Sequence, residues 1–161
     1  MPRVFIGIGS NLGDRAGYFE LAYKEILSIQ TVRDLQRSPV YETEPVGVGG
    51  GPFLNAVWSF ETELTPQELL QKLQGIEIKT GRKRDRADGA RTLDLDLLFY
   101  GDEMILEKDL IVPHPKLHER GFVIMPLSDL APDWIHSAMK VPVKELKNRL
   151  GKFLGIKKIK I

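Results

Sequence analysis

Phe53-Leu54-Asn55-Ala56-Val57-Trp58-Ser59-Phe60-Glu61-Thr62 sorts its side chains into two alternating sets. In an extended chain Leu54, Ala56, Trp58 and Phe60 share one face, and Phe53, Asn55, Val57 and Ser59 share the other. The first face reads as core and the second as half open, the pattern of a strand in an antiparallel sheet. Upstream, Val4-Phe5-Ile6-Gly7-Ile8 is a short apolar run closed by Gly-Ser-Asn, which predicts a buried strand ending in a turn. From Asp14 onward Phe19, Ala22, Tyr23, Ile26 and Leu27 recur with the one-sided spacing of an amphipathic helix. A weaker strand runs from Val32 to Ser38, where Pro39 stops it, and Tyr41 to Pro45 leads into a mobile surface loop, Gly47 to Pro52. Downstream, Thr65-Pro66-Gln67-Glu68 is a capping box with proline at the first helical position, and Leu69, Leu73 and Ile76 give the buried stripe of the helix that follows. Leu93 to Tyr100 reads as another strand, Gly101-Asp102 as a turn, and Met104 to Leu106 as the returning arm of a hairpin. The segment 107–120, with Pro113 and Pro115, reads as an irregular loop. Short helices are predicted over 122–130 and 143–150, and Gly155 to Ile161 reads as an edge strand guarded by lysines. The order strand, helix, strand, strand, helix, strand is the split βαβ pattern. It predicts an α+β, ferredoxin-like sandwich with a mainly antiparallel sheet and helices packed on its faces.

The 161 residues fit a single domain, 1–161. The absence of cysteine excludes disulfide scaffolds and thiolate metal sites. Lys and Arg number 23 against 22 Asp and Glu, too even a balance for coating nucleic acid by net charge, so any polyanion must be met locally. No apolar run reaches the ~20 residues that span a bilayer, and the N-terminus does not have the form of a signal peptide. The expectation is a soluble, cytoplasmic protein.

The chemistry concentrates in Thr92-Leu93-Asp94-Leu95-Asp96-Leu97. In a strand Asp94 and Asp96 project from one face and the three leucines from the other. Two carboxylates so placed repel each other unless a cation intervenes, and Mg²⁺ takes one or two carboxylates while keeping its other positions for water and substrate phosphates. On spacing alone, a half-exposed strand whose outer face carries two acids fits equally well. The preceding segment, 79–91, carries six basic residues against two acidic ones and runs directly into that strand. Arginine favours bidentate contact with phosphate, so guanidiniums facing a cation on the aspartates would hold a polyphosphate from both sides. A solvated charged loop would leave the aspartates without a role. Gly7-Ile8-Gly9-Ser10-Asn11-Leu12-Gly13 has its third glycine one place late for a dinucleotide fingerprint, and no G-x-x-x-x-G-K-[S/T] loop exists. His114 and His118 have a helical zinc-ligand spacing, but Pro113 and Pro115 argue against a helix there.

Gly9-Ser10-Asn11-Leu12-Gly13, Tyr41-Glu42-Thr43-Glu44-Pro45, Phe53-Leu54-Asn55, Gly81-Arg82-Lys83-Arg84, Arg91-Thr92-Leu93-Asp94-Leu95-Asp96, Val112-Pro113-His114-Pro115 and Arg120-Gly121-Phe122 occur in this order. As a set they resemble the 6-hydroxymethyl-7,8-dihydropterin pyrophosphokinases of folate biosynthesis. The resemblance is strongest over 4–132, with 133–161 a C-terminal extension of the same domain. It implies a ferredoxin-like fold and transfer of the pyrophosphoryl unit of ATP to the pterin's hydroxymethyl oxygen, releasing AMP. Two Mg²⁺ ions are implied on Asp94 and Asp96, with Arg82 and Arg91 acting on the phosphates as catalytic residues. Gln74, Glu77, Arg84, His114 and Arg120 match ATP-binding positions. Thr43, Val46, Phe53, Asn55 and Phe122 match pterin-binding positions, the two phenylalanines sandwiching the ring while Asn55 and Thr43 bond its edge. The implied partners are ATP and the pterin alone, with no nucleic acid or membrane, and the implied state is a monomer. The chain departs from the family in Arg86-Ala87-Asp88-Gly89-Ala90-Arg91, which lacks the usual tryptophan and proline, and in Glu44, where proline is frequent.

Two other readings compete. One is a nucleic-acid-binding ferredoxin-like module that uses the 79–91 loop, with exposed Phe53 and Trp58 as stacking residues. The other is a different Mg-dependent ATP enzyme with the same cation clamp. The first leaves the paired aspartates facing a phosphate backbone they would repel.

Overall fold

Strand β1 (Arg3–Ser10) lies inside the sheet, with a partner on each side, and its apolar side chains serve both faces. Val4, Ile6 and Ile8 enter one core and Phe5 the other. The computed structural model describes residues 1–44, 49–83, 87, 89–151 and 155–161. Within them β1 is followed by helix α1 (Arg15–Leu27), capped by Asp14, whose carboxylate accepts from the Gly17 amide at 3.1 Å. Strands β2 (Arg33–Arg37) and β3 (Val40–Thr43) come next, then the long β4 (Phe53–Glu61) and helix α2 (Pro66–Lys79). At the start of α2 the Thr65 hydroxyl accepts from the Glu68 amide at 3.1 Å and the Glu68 carboxylate accepts from the Thr65 amide at 2.9 Å. This reciprocal cap contributes about 1 kcal/mol. Strand β5 (Asp94–Tyr100), the short β6 (Ile105–Leu106) and β7 (Ile111–Val112), helices α3 (Gly121–Leu130) and α4 (Val143–Leu150), and strand β8 (Ile156–Ile159) complete the order.

The main sheet runs β5-β1-β4-β3-β8, with β2 also paired to β4, and every pairing is antiparallel. Strands β2 and β3 share the long β4 as partner, one beside each half of it. Between them the Ser38 amide donates to the Val57 carbonyl, and the Ser38 hydroxyl accepts from the Val57 amide, both at 2.9 Å. The hydroxyl thus continues the ladder up to Pro39, which has no amide hydrogen to offer. The split βαβ arrangement expected from the sequence is present.

Helices cover both faces. Phe19, Ala22 and Ile26 of α1 and Leu69, Leu73 and Ile76 of α2 pack with Leu54, Ala56, Trp58, Phe60, Leu95 and Leu97. On the other face Val123, Ile124 and Leu127 of α3 and Val143 and Leu146 of α4 pack with Phe5, Val57, Leu98 and Phe99. An irregularity opposite Phe5 and Ile6 lets β5 carry Leu98 and Phe99 on the same side, so the strand serves both cores.

Three expectations are corrected. The second face of β4 is closed: Asn55, Val57 and Ser59 are all buried, with α3 packed against Val57 and the Arg3 guanidinium donating to the Ser59 hydroxyl at 2.8 Å. Trp58 is buried between Phe19 and Tyr23, edge-on to both, and offers no surface for stacking a base. Ile105 and Leu106 pair with β7, not back onto β5, after a tight turn in which Glu107 and Leu110 exchange backbone hydrogen bonds. The segment 107–120 is correspondingly more regular than a loop, holding β7 and a 3₁₀ turn at Leu117–Glu119. The Ile/Lys tail does form an edge strand, β8, on β3.

Candidate active site

On the α3 side of the sheet, β1 carries no side chain at Gly7 and Gly9, and the missing Cβ atoms open a cavity of about 510 Å³. A methyl group on Gly9 would stand 3.3 Å from Asn55 Oδ1, so the glycine keeps the floor clear. Asp94 and Asp96 of β5 line the cavity while Leu95 and Leu97 enter the opposite core, as their alternation predicts. Thr43, Phe53, Asn55, Arg91, His114, Arg120 and Phe122 also line it. Gln74, Glu77 and Arg82 do not lie on its wall, and Val46 and Arg84 fall outside the described residues. The glycine-rich and basic loops, 47–51 and 81–91, are only partly within them.

Arg82 is buried beside the cavity and carries the floor's electrostatics. It pairs with Glu77 and, at 2.8 Å, with Asp94 Oδ1. Glu77, 3 % exposed, also accepts from the Leu95 amide at 2.8 Å, which ties α2 to β5 behind the aspartates. Arg91 is more open and stands 3.9 Å from Asp94 Oδ2. Asp94 therefore faces two guanidiniums. Among the described residues Asp96 has no such ion pair: burial, then the charges of Asp94 and Glu77, push its carboxyl up to about 7, against a weaker pull from Arg120 and Arg82.

The other walls are set by short-range ties. The His114 amide donates to the Leu98 carbonyl at 3.0 Å, holding the Pro-His-Pro segment against the outer edge of β5. Its Nδ1 accepts from the Lys116 amide at 3.2 Å, and burial and Arg120 lower its pKa. Arg120 lies 5.6 Å from the centre of the Phe122 ring at the start of α3. Asn55 donates to the Thr43 hydroxyl at 3.0 Å in a buried contact, and its Oδ1 lies on the Gly9 side of the cavity floor.

Several residues on or around this cavity escaped the sequence reading. Ile8, Glu44, Ala56, Leu98, Val123, Gly155 and Ile156 complete its lining. Asn11, buried at the end of β1, joins both loops: its amide donates to the Arg91 carbonyl at 3.0 Å, its Oδ1 accepts from the Arg91 amide at 2.8 Å, and its Nδ2 donates to the Gly49 carbonyl at 2.7 Å. An asparagine in the Gly-Ser-Asn turn that closes the first strand was the available signal for Asn11. Nothing local marks Ile156.

Fold and cavity together define an α+β sandwich with a cavity that has apolar walls, an acidic floor and a basic flank. Residues 5–132 match the family model for 7,8-dihydro-6-hydroxymethylpterin-pyrophosphokinase, and the chain belongs to that family. It is a pterin pyrophosphokinase with ATP as co-substrate. The 2-amino-4-hydroxy-6-hydroxymethyldihydropteridine pyrophosphokinase of Aquifex aeolicus is 40% identical over 162 residues, spanning 99% of this chain and all of that protein. The folic acid synthesis protein fol1 of Pneumocystis carinii is 42% identical over 134 residues, 83% of this chain but only 18% of that protein. Among solved structures, the Plasmodium falciparum HPPK-DHPS A437G with SDX-DHP superposes over 99% of this chain with a TM-score of 0.77 at 14% identity. This chain spans 49% of that one, and the likeness shows the shared fold.

Proposed function

We propose that this cavity transfers the pyrophosphoryl group of ATP to 6-hydroxymethyl-7,8-dihydropterin, with the pterin in the Phe53–Phe122 slot and the phosphates over Asp94 and Asp96. The observation that carries this reading is the single cavity in which two acids, two flanking arginines and two aromatic rings converge. Phe53 and Phe122 supply faces for a flat ring, and the coupled Asn55–Thr43 pair supplies donors and acceptors for its edge. The described part of the basic loop, with Arg82 and Arg91, lies on the flank where phosphate oxygens would stand. His114 and Arg120 complete the polar wall, Gln74 and Arg84 belong to the ATP site, and Glu77 acts there through Arg82. Val46 is assigned to the pterin side.

The donor set fits Mg²⁺. Both carboxylates are hard oxygen donors on one face, and Asp96 stands in a field that disfavours its own charge, which a cation would relieve. Among the described residues no group of three His, Cys, Asp or Glu side chains forms a ready cage, consistent with an ion completed by substrate phosphates. Two Mg²⁺ ions, when bound, would neutralise polyphosphate charge. In the reaction the hydroxymethyl oxygen attacks the β-phosphorus of ATP and the bond from that phosphorus to the bridging oxygen of the α-phosphate breaks. AMP leaves and the hydroxyl proton is lost. This chain's residues contribute position and field: the slot aims the oxygen in line, and Arg82 and Arg91 meet charge as it shifts toward the leaving phosphate.

The same reading makes 1–161 one domain acting as a cytoplasmic monomer on small molecules without nucleic acid. No helix among the described residues is long and apolar enough to cross a membrane. Titrating the pterin with and without Mg²⁺ and a non-hydrolysable ATP analogue tests the assignment, with tighter pterin binding in the full set expected. Absence of pterin binding under every condition, or of pterin-dependent AMP release from ATP, would overturn it.

A further inference from the structure

Strand β8 lies beyond the stretch that the family model covers, yet Gly155 and Ile156 line the cavity. Its register places Ile156 opposite Thr43 and Lys158 opposite Tyr41. Directly opposed residues of an antiparallel pair project to one side, so Ile156 and Lys158 share the side of Thr43 and Tyr41. That side is the cavity side. Thr43 lines the cavity, and the Tyr41 hydroxyl donates to Asp129 Oδ2 on α3. Lys158 Nζ stands 3.5 Å from the same carboxylate oxygen and 5.6 Å from the Tyr41 ring centre. One four-residue strand thus touches both the strand that carries Thr43 and the helix that begins at Gly121-Phe122.

We propose that β8 forms a wall of the pterin subsite, with Ile156 as a specificity-determining contact to the edge of the flat ring. The proposal rests on the reading of the Phe53–Phe122 slot as the pterin subsite. Position in the sheet separates this wall from the phosphates. Asp94 and Asp96 are on β5 and Ile156 on β8, at opposite ends of β5-β1-β4-β3-β8. Four strand spacings of about 4.8 Å put them roughly 19 Å apart. Ile156 is half-buried and presents only hydrocarbon, so it can discriminate among ring edges but cannot bind phosphate. Its loss should therefore fall on one substrate only.

The test compares wild-type enzyme with Ile156→Ala and Ile156→Val, each with Mg²⁺ present, measuring the Kd of the pterin, the KM of ATP and kcat. Removing hydrocarbon from an apolar pocket wall changes discrimination by about tenfold or more, so Ile156→Ala should raise the pterin Kd roughly tenfold. Ile156→Val should restore most of the affinity, and the KM of ATP should stay within about twofold in both. The valine variant keeps a β-branched residue in the strand and remains informative if the alanine variant does not fold. Wild-type binding with no pterin effect in either variant, or with equal losses for pterin and ATP, overturns the role of β8 and leaves the site assignment standing. Wild-type enzyme that binds no pterin overturns the site assignment, and this proposal with it.

Discussion

Replacing Asp96 with asparagine should stabilise the metal-free protein at alkaline pH while abolishing its activity. The Asp96 carboxyl is held at about 7 against an ordinary 3.8, first by burial and then by the charges of Asp94 and Glu77. A difference of about 3 pKa units corresponds to a burden on the order of 4 kcal/mol once the group is ionised in the folded state. The sign follows from proton linkage. Between the two pKa values the folded state keeps a proton that the unfolded chain has released, so stability falls as pH rises from about 4 through about 7. Asparagine has nearly the same shape and no charge to desolvate, so it escapes that fall. In thermal melts with a chelator, wild type and Asp96→Asn should coincide near pH 4, and the variant should melt roughly 10 °C higher at pH 8, at about 2–4 °C per kcal/mol for a chain of this size. Mg²⁺ with the ATP analogue should then raise the melting temperature of wild type and not that of the variant, because ligands stabilise only the state that binds them. A melting difference that does not change with pH would refute the electrostatic account of the acidic floor. Near-native turnover in Asp96→Asn at saturating Mg²⁺ would refute the assignment of the metal site.

Arg82→Ala and Arg91→Ala should both lower kcat well beyond any change in pterin affinity, but only the first should lower the melting temperature. Arg82, its side chain only 10% exposed, is a largely buried cation between Glu77 and Asp94, and removing one member of such a group costs about 3–5 kcal/mol, whereas Arg91 is 40% exposed and stands 3.9 Å from Asp94; equal melting temperatures for the two variants would contradict this division. Asn11→Ala removes side-chain bonds to Arg91 and Gly49 at once and should cost about 1–3 kcal/mol of stability, with a fall in kcat because Arg91 loses its anchor. Unchanged kcat would show that Asn11 serves the fold alone. His114, lowered by burial and Arg120, binds its proton less readily folded than unfolded, so it should contribute stability above its ordinary value near 6.5 that is lost as pH falls through its lowered folded value. An imidazole NMR titration centred at or above 6.5 would contradict that environment.

The parts of this molecule that were legible in the sequence are those where a local period has one physical solution. The alternation in Asp94-Leu95-Asp96-Leu97 can bury its leucines only by turning both acids to the other side of the sheet, and Thr65-Pro66-Gln67-Glu68 can satisfy its amides only as a helix start. Periodicity does not report what covers a face. Val57 looks like the open side of β4 until α3, about seventy residues later, closes over it, and Trp58 looks available until Phe19 and Tyr23 enclose it. Registers between distant strands are equally silent. Met104 to Leu106 has the composition of a returning hairpin arm, but the turn between Glu107 and Leu110 gives it a different partner. The same limit hid the last wall of the cavity. Gly155 and Ile156 carry no chemistry of their own, and they line the cavity because Ile156 pairs with Thr43 and Lys158 meets the Asp129 carboxylate that also holds Tyr41. A residue that acts by its place in a long-range register leaves no motif, whereas one that acts by its charge does. The acidic floor of this cavity could therefore be read from the chain, and its β8 wall required the fold.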